Sequence, residues 1–194
     1  GVIEADCYLV PAVEASKKII HKFGSEKDKQ LKVASSDSRP VNPFPKEWRM
    51  HAFTVDALPI LNEHKPITVQ DSPLKAHEDL IRALKESEEK VDLVFVGPLT
   101  DLARALDQDP TIEENIGKLY WMGGTFLDMG NVEDPEHDGT AEWNVYWDPF
   151  AAKRVWESSI QIELVALEST NMVPLSLDVR DRWAKERAIE GVDF

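Results

Sequence analysis

The chain has 194 residues, 42% hydrophobic and 30% charged, the proportions of one soluble globular domain. Its 36 acidic side chains against 22 basic ones give a net charge of −14, which repels nucleic acid phosphates and acidic membrane surfaces, so neither is expected as a partner. No apolar run approaches the roughly 18 residues of a membrane span and no basic-then-apolar leader is present, so a soluble, cytoplasmic protein is expected.

In chain order, GVIEAD reads as a short strand, with Cys7 a small buried hydrophobe at its end, since the single cysteine has no partner for a disulfide or a zinc site. PAVEASKKIIHKFG reads as an amphipathic helix: Pro11 suits a first turn, Ala12, Ala15, Ile19 and Phe23 recur at helical spacing, and Gly24 suits its end. LKVASS is a second strand, and Pro40, Pro43 and Pro45 make the following segment a long loop. Between Pro73 and Lys90, Leu74, Ile81 and Leu84 share one helical face, and VDLVFVG, apolar without alternation, reads as a buried parallel strand. LTDLARAL is then a helix, KLYWMGG a strand, DPFAAKRVWES a helix capped by Asp148 with Pro149 in its first turn, and IQIELVALE a strand.

Strands alternating with helices predict an α/β fold, a Rossmann-like, mostly parallel sheet with helices on both faces. Ligands in such folds bind at the carboxyl ends of the strands. Here those ends carry Ala5 to Tyr8, Ser35 to Ser38, Gly97 to Thr100, Met122 to Gly124 and Glu168 to Thr170. The same rim receives the segment from Thr125 to Trp147, a loop long enough to suggest function. Within it, Glu142 and Asn144 are two apart, so in an extended segment both face one way with Trp143 opposite. A carboxylate beside an amide suits vicinal hydroxyls, which donate to one and accept from the other.

GPLTDLA (Gly97 to Ala103), WMGG (Trp121 to Gly124), the Gly130-Asn131 pair and AEWNVYWDPFAAKRV (Ala141 to Val155), in this order and at these intervals, resemble the nucleoside hydrolases, the inosine-uridine type N-ribohydrolases. The resemblance covers most of the chain and is sharpest from about Val91 to Thr170. It implies cleavage of the N-glycosidic bond of a ribonucleoside substrate to ribose and base, with one calcium ion holding the ribose diol and a water nucleophile, in a homo-oligomer. By that resemblance Thr100 gives a backbone carbonyl to the ion. Asn131, Glu142 and Asn144 bind ribose hydroxyls, Met122 lines the sugar pocket, and His51 stands by the base.

The chain departs from the family pattern in lacking the acidic cluster of DxDxxxDD type that supplies most calcium ligands and the general base. Asp101 stands where asparagine is common and Glu168 where aspartate is common. Residues 1–194 therefore read as one domain truncated at both ends, inactive alone and a poor calcium binder. A non-catalytic nucleoside- or ribose-binding module on the same scaffold is the alternative. His21, His64, His77 and His137 read as surface or loop residues. The acidic run Glu133, Asp134, Glu136 and Asp138 reads as a solvated loop, and Asp178, Asp181 and Asp193 as parts of a polar helix or tail. Trp143, Tyr146, Trp147 and Trp156 read as core or interface aromatics.

Overall fold

The computed structural model describes residues 9–63, 66–127, 129–188 and 191. The strand read over Gly1 to Asp6, the rim residues Ala5 to Tyr8 with Cys7, and also His64 and Asp193, lie outside the described residues.

Helix α1, Leu9–Phe23, carries Pro11 in its first turn, and the N–H of Gly24 closes it on Ile20 O at 2.9 Å. Its apolar face meets β1, Lys32–Ser35: Val13 packs with Val33 and Val69, while Ala34, on the opposite face of the strand, is also fully buried. Lys18 reaches from α1 to Asp56 Oδ1 at 2.7 Å and Asp56 O at 2.9 Å, pinning the short α2, His51–Asp56.

β1 pairs in parallel with β2, Gln70–Lys75, through Lys32↔Gln70 and Val33↔Asp71. That strand is not evident in QDSPLK, which is polar and contains a proline. Among the described residues β2 has β1 as its sole neighbour, and an edge strand tolerates the missing N–H of Pro73. Leu74 therefore belongs to β2, and α3 begins only at Ala76 and runs to Glu86, with Leu80, Ile81 and Leu84 turned to the core.

The second sheet is β3, Val91–Phe95, β4, Ile116–Met122, and β5, Ile162–Val165, in that order and all parallel. Leu93 pairs with Leu119 and Phe95 with Trp121, and this face meets Leu84 of α3, Leu102 and Leu106 of α4, Thr100–Gln108, and Val155 of α6, Pro149–Trp156. The parallel α/β architecture expected from the strand–helix alternation is present. β3 is less enclosed than its apolar sequence predicts, since Val94 is 72% and Val96 79% exposed. Val94 pairs with Tyr120, so both lie on the face opposite the α3, α4 and α6 layer. The remaining helices are α5, Trp143–Trp147, α7, Leu167–Asn171, and α8, Leu177–Trp183. None of the described helices is long and apolar enough to cross a membrane.

Candidate functional site

The site forms where β4 ends and α5 begins. After Met122 the chain turns at Gly124, whose φ of +71° lies in the left-handed region that favours glycine, and its N–H donates to Glu142 Oε2 at 2.8 Å. The same oxygen accepts from Asn144 N at 3.0 Å and Val145 N at 3.3 Å, so Glu142 is the N-cap of α5 and satisfies amides that a helix start leaves open. Ala141 to Trp147 is thus a cap and a helical turn, not the extended run its alternation suggests. Glu142 and Asn144 still converge on the end of β4, because Asn144 Nδ2 donates to Met122 O at 2.9 Å. Glu142 is 2% exposed, and burial pushes its carboxyl above the ordinary value while the three backbone N–H groups pull it down.

Asn131 arrives from the long loop. Gly130 N donates to Gly139 O at 2.7 Å and Asn131 N to Ala141 O at 2.9 Å, which folds residues 130–141 into a closed excursion. Asn131 Oδ1 then accepts from Trp143 N at 3.0 Å. Thr100 is tied in from the other side. Its hydroxyl donates to Asp148 Oδ2 at 2.7 Å while Asp148 Oδ1 accepts from Ala151 N at 2.9 Å, so one carboxylate caps α6 and anchors the turn between β3 and α4.

A family model described as "Inosine-uridine preferring nucleoside hydrolase" matches residues 2–192. The chain belongs to the nucleoside hydrolase family. Among solved structures it is similar to the inosine-uridine preferring nucleoside hydrolase of Bacillus anthracis, with 59% identity and a TM-score of 0.93 over 99% of this chain and 63% of that one. It is also similar to Arabidopsis thaliana "Probable uridine nucleosidase 2", 32% identical over 57% of this chain and 33% of that protein. Escherichia coli "Pyrimidine-specific ribonucleoside hydrolase RihA" is 32% identical over 56% of this chain and 33% of that protein. A plant nucleoside hydrolase structure at 24% identity and TM-score 0.69 shares the fold. The match thus spans a third of the length of these curated relatives.

Of the residues that the resemblance to nucleoside hydrolases singles out, the structure brings Met122, Asn131, Glu142 and Asn144 together, while the Thr100 side chain bonds Asp148 at the start of α6. His51 is the exposed first residue of α2, and among the described residues it has no hydrogen bond to that group. Thr100 opens α4, so its carbonyl points along the helix axis into the hydrogen-bond ladder. Among the described residues no three His, Cys, Asp or Glu converge as a metal site.

Two features escaped sequence reasoning. Phe44 and Trp48 of the proline-rich loop join Trp143 and Trp147 in an aromatic wall, with Phe44 stacked on Trp147 at 4.7 Å and Trp48 edge-on to Trp143 at 5.2 Å. Asn42 holds that loop down, its Nδ2 donating to Tyr146 O at 2.6 Å. Together with Asn131, Glu133 and Asp134, the rings of Phe44, Trp48 and Trp143 border a cavity of about 720 Å³. His77, expected at the surface, is 3% exposed beside the fully buried Asp101. Only the tertiary fold reveals either grouping.

Proposed function

We propose that Met122, Asn131, Glu142 and Asn144 form the sugar-binding wall of a site that cleaves the N-glycosidic bond of ribonucleosides, and that the 194-residue chain alone holds the sugar without completing the cleavage. One observation carries this reading. Each of the three polar side chains is fixed through one atom, Glu142 Oε2, Asn144 Nδ2 and Asn131 Oδ1, which leaves Glu142 Oε1, Asn144 Oδ1 and Asn131 Nδ2 for a ligand among the described residues. Two acceptors and one donor match hydroxyls that both donate and accept. Acidic and carbonyl groups around the sugar also stabilise an oxocarbenium-like transition state. The sequence holds no aspartate cluster to activate a water, which is why turnover is not expected of this chain alone.

The experiment is a titration of the 194-residue chain with inosine and uridine against their 2′-deoxy counterparts, followed by a reducing-sugar assay with added calcium. Tighter binding of the ribonucleosides is expected, without ribose release. Equal affinity for the deoxy forms removes the diol-binding role, and ribose release removes the claim of incompleteness.

A further inference from the structure

Helix α5 carries Trp143 and Asn144 and is only five residues long. A helix of little more than one turn does not hold itself together, because fixing its first turn costs more than one hydrogen bond returns, so its shape depends on what binds its two ends. The N-terminal end is bound by Glu142. At the other end a helix leaves its last carbonyls without partners of its own. Here the last two residues of α5 both bond Asn42, which lies 104 positions before Tyr146. The backbone N–H of Asn42 donates to Trp147 O at 2.9 Å and its Nδ2 to Tyr146 O at 2.6 Å.

The segment that carries Asn42 is itself fixed independently of α5. Just before it, Ser38 Oγ donates to Asp101 Oδ1 at 2.9 Å and Ser38 N donates to Ser36 Oγ at 2.9 Å, while Arg104 reaches Ser38 Oγ, at 3.1 Å, and Asp37. Asp101 is fully buried and Ser36 and Ser38 nearly so, which places this anchor in the interior beside α4. Pro40, Pro43 and Pro45 fix φ before and after Asn42, so the strap from Ser38 to Trp48 has few conformations to lose. Its far part lies on α5 again, with Phe44 stacked on Trp147 and Trp48 edge-on to Trp143.

We propose that Asn42 is a positioning residue for the sugar-binding wall. It holds α5 by its C-terminal end as Glu142 holds it by its N-terminal end, and the helix so held sets where Asn144 stands and where the Trp143 N–H fixes Asn131. Because Asn131 Oδ1 is bonded to Trp143 N and Asn144 belongs to the helix, a shift of the α5 backbone moves both amides relative to Glu142. Among the described residues Asn42 has no hydrogen bond to any of these three side chains, and it acts through the helix alone. The inference rests on the ribose-binding reading and adds to it a residue that lies outside the four family-like motifs.

The test compares the 194-residue chain with Asn42→Ala and Asn42→Asp, both of which lack the Nδ2 donor and keep the backbone N–H. Without ligand, amide exchange at Asn144 and Tyr146 should quicken about fivefold in both variants, the effect of one lost hydrogen bond. The preference for inosine over 2′-deoxyinosine in a calorimetric titration should fall about fivefold as well. Ile112→Ala, at a fully buried core position outside the strap and α5, should destabilise the chain and keep that preference. Should Asn42→Ala not fold, Asn42→Asp, of nearly the parent size, decides by the same two measurements. A retained preference or unchanged exchange in the Asn42 variants overturns the inference alone, as does an equal fall in Ile112→Ala. A parent chain without that preference overturns the ribose-binding reading, and the inference falls with it.

Discussion

Substitution of Glu142 separates its structural duty from its proposed role at the sugar. Glu142→Ala removes the acceptor for Gly124 N, Asn144 N and Val145 N together. Loss of the helix cap costs about 1 kcal/mol. The amide of Gly124, 18 residues away in sequence, then lacks its partner at about 1 to 3 kcal/mol, so the variant should lose about 3 kcal/mol in total. Glu142→Gln keeps an acceptor oxygen for the same amides and removes a charge that burial disfavours, as the raised carboxyl value indicates. Its stability should therefore stay within about 1 kcal/mol of the parent. Its affinity for inosine should nevertheless fall by about tenfold, because a charge-assisted hydrogen bond to a ribose hydroxyl becomes a neutral one. Urea denaturation followed by tryptophan fluorescence gives the stabilities and calorimetric titration gives the affinities. If Glu142→Gln is as destabilising as Glu142→Ala, charge and not acceptor geometry holds α5. If its affinity for inosine is unchanged, the carboxylate does not face the sugar.

Glu168 Oε1 accepts from Thr125 Oγ1 at 2.5 Å, Phe126 N at 2.9 Å and Leu127 N at 3.0 Å, and these donors, led by Thr125, hold its carboxyl down to about 2 from 4.5. A lowered folded value contributes stability that is full above pH 4.5 and lost as pH falls through about 2, so the Phe126 and Leu127 amide resonances should move together in that window and be displaced at neutral pH in Glu168→Gln. Asp148→Ala should cost about 2 kcal/mol in urea denaturation, through the cap of α6 and the Thr100 hydroxyl, while Asp148→Ser, which can still cap, should cost about half as much. Leu106→Ala, at a fully buried position in the larger core, should cost about 3 to 4 kcal/mol by the same measurement. Gly130→Ala places a methyl group onto the backbone of Ala141 and should displace Asn131, read as weaker binding of uridine.

What was legible in the sequence follows from how local each determinant is. The strands around Leu93, Leu119 and Ile162 declare themselves as apolar runs, and Asp148 with Pro149 marks the start of α6 through a cap that needs only residues 148 to 151. β2 is illegible because its pairing with β1 stabilises a polar, proline-containing segment, and composition carries no trace of that partner. α5 is too short for a helical period to show in five residues, and Glu142 with Asn144 imitates strand alternation. His77 sits among charged neighbours in sequence, and what buries it lies elsewhere: Asp101, 24 positions later, which itself bonds Ser38 across 63 residues. The motif residues can be picked out of the sequence, whereas which atom of each is hydrogen-bonded cannot, since that depends on backbone partners such as Met122 and Gly124.

Those backbone partners bear on selectivity in the proposed site. A side-chain amide can be turned either way round, but Asn144 must direct its NH2 at the Met122 carbonyl and Asn131 its oxygen at the Trp143 N–H, so each amide is fixed by a group of opposite polarity. Glu142 is fixed in the same manner by three donors on one oxygen. The proposed ligand-facing atoms therefore form an ordered pattern of two acceptors and one donor before any sugar arrives, and little rotamer freedom remains to be lost on binding. Such a pattern rewards hydroxyls that can donate to Glu142 and Asn144. A ligand with a hydrogen in place of one such hydroxyl leaves a partly buried acceptor unpaired, so discrimination against it should arise from that desolvated oxygen more than from lost contact area.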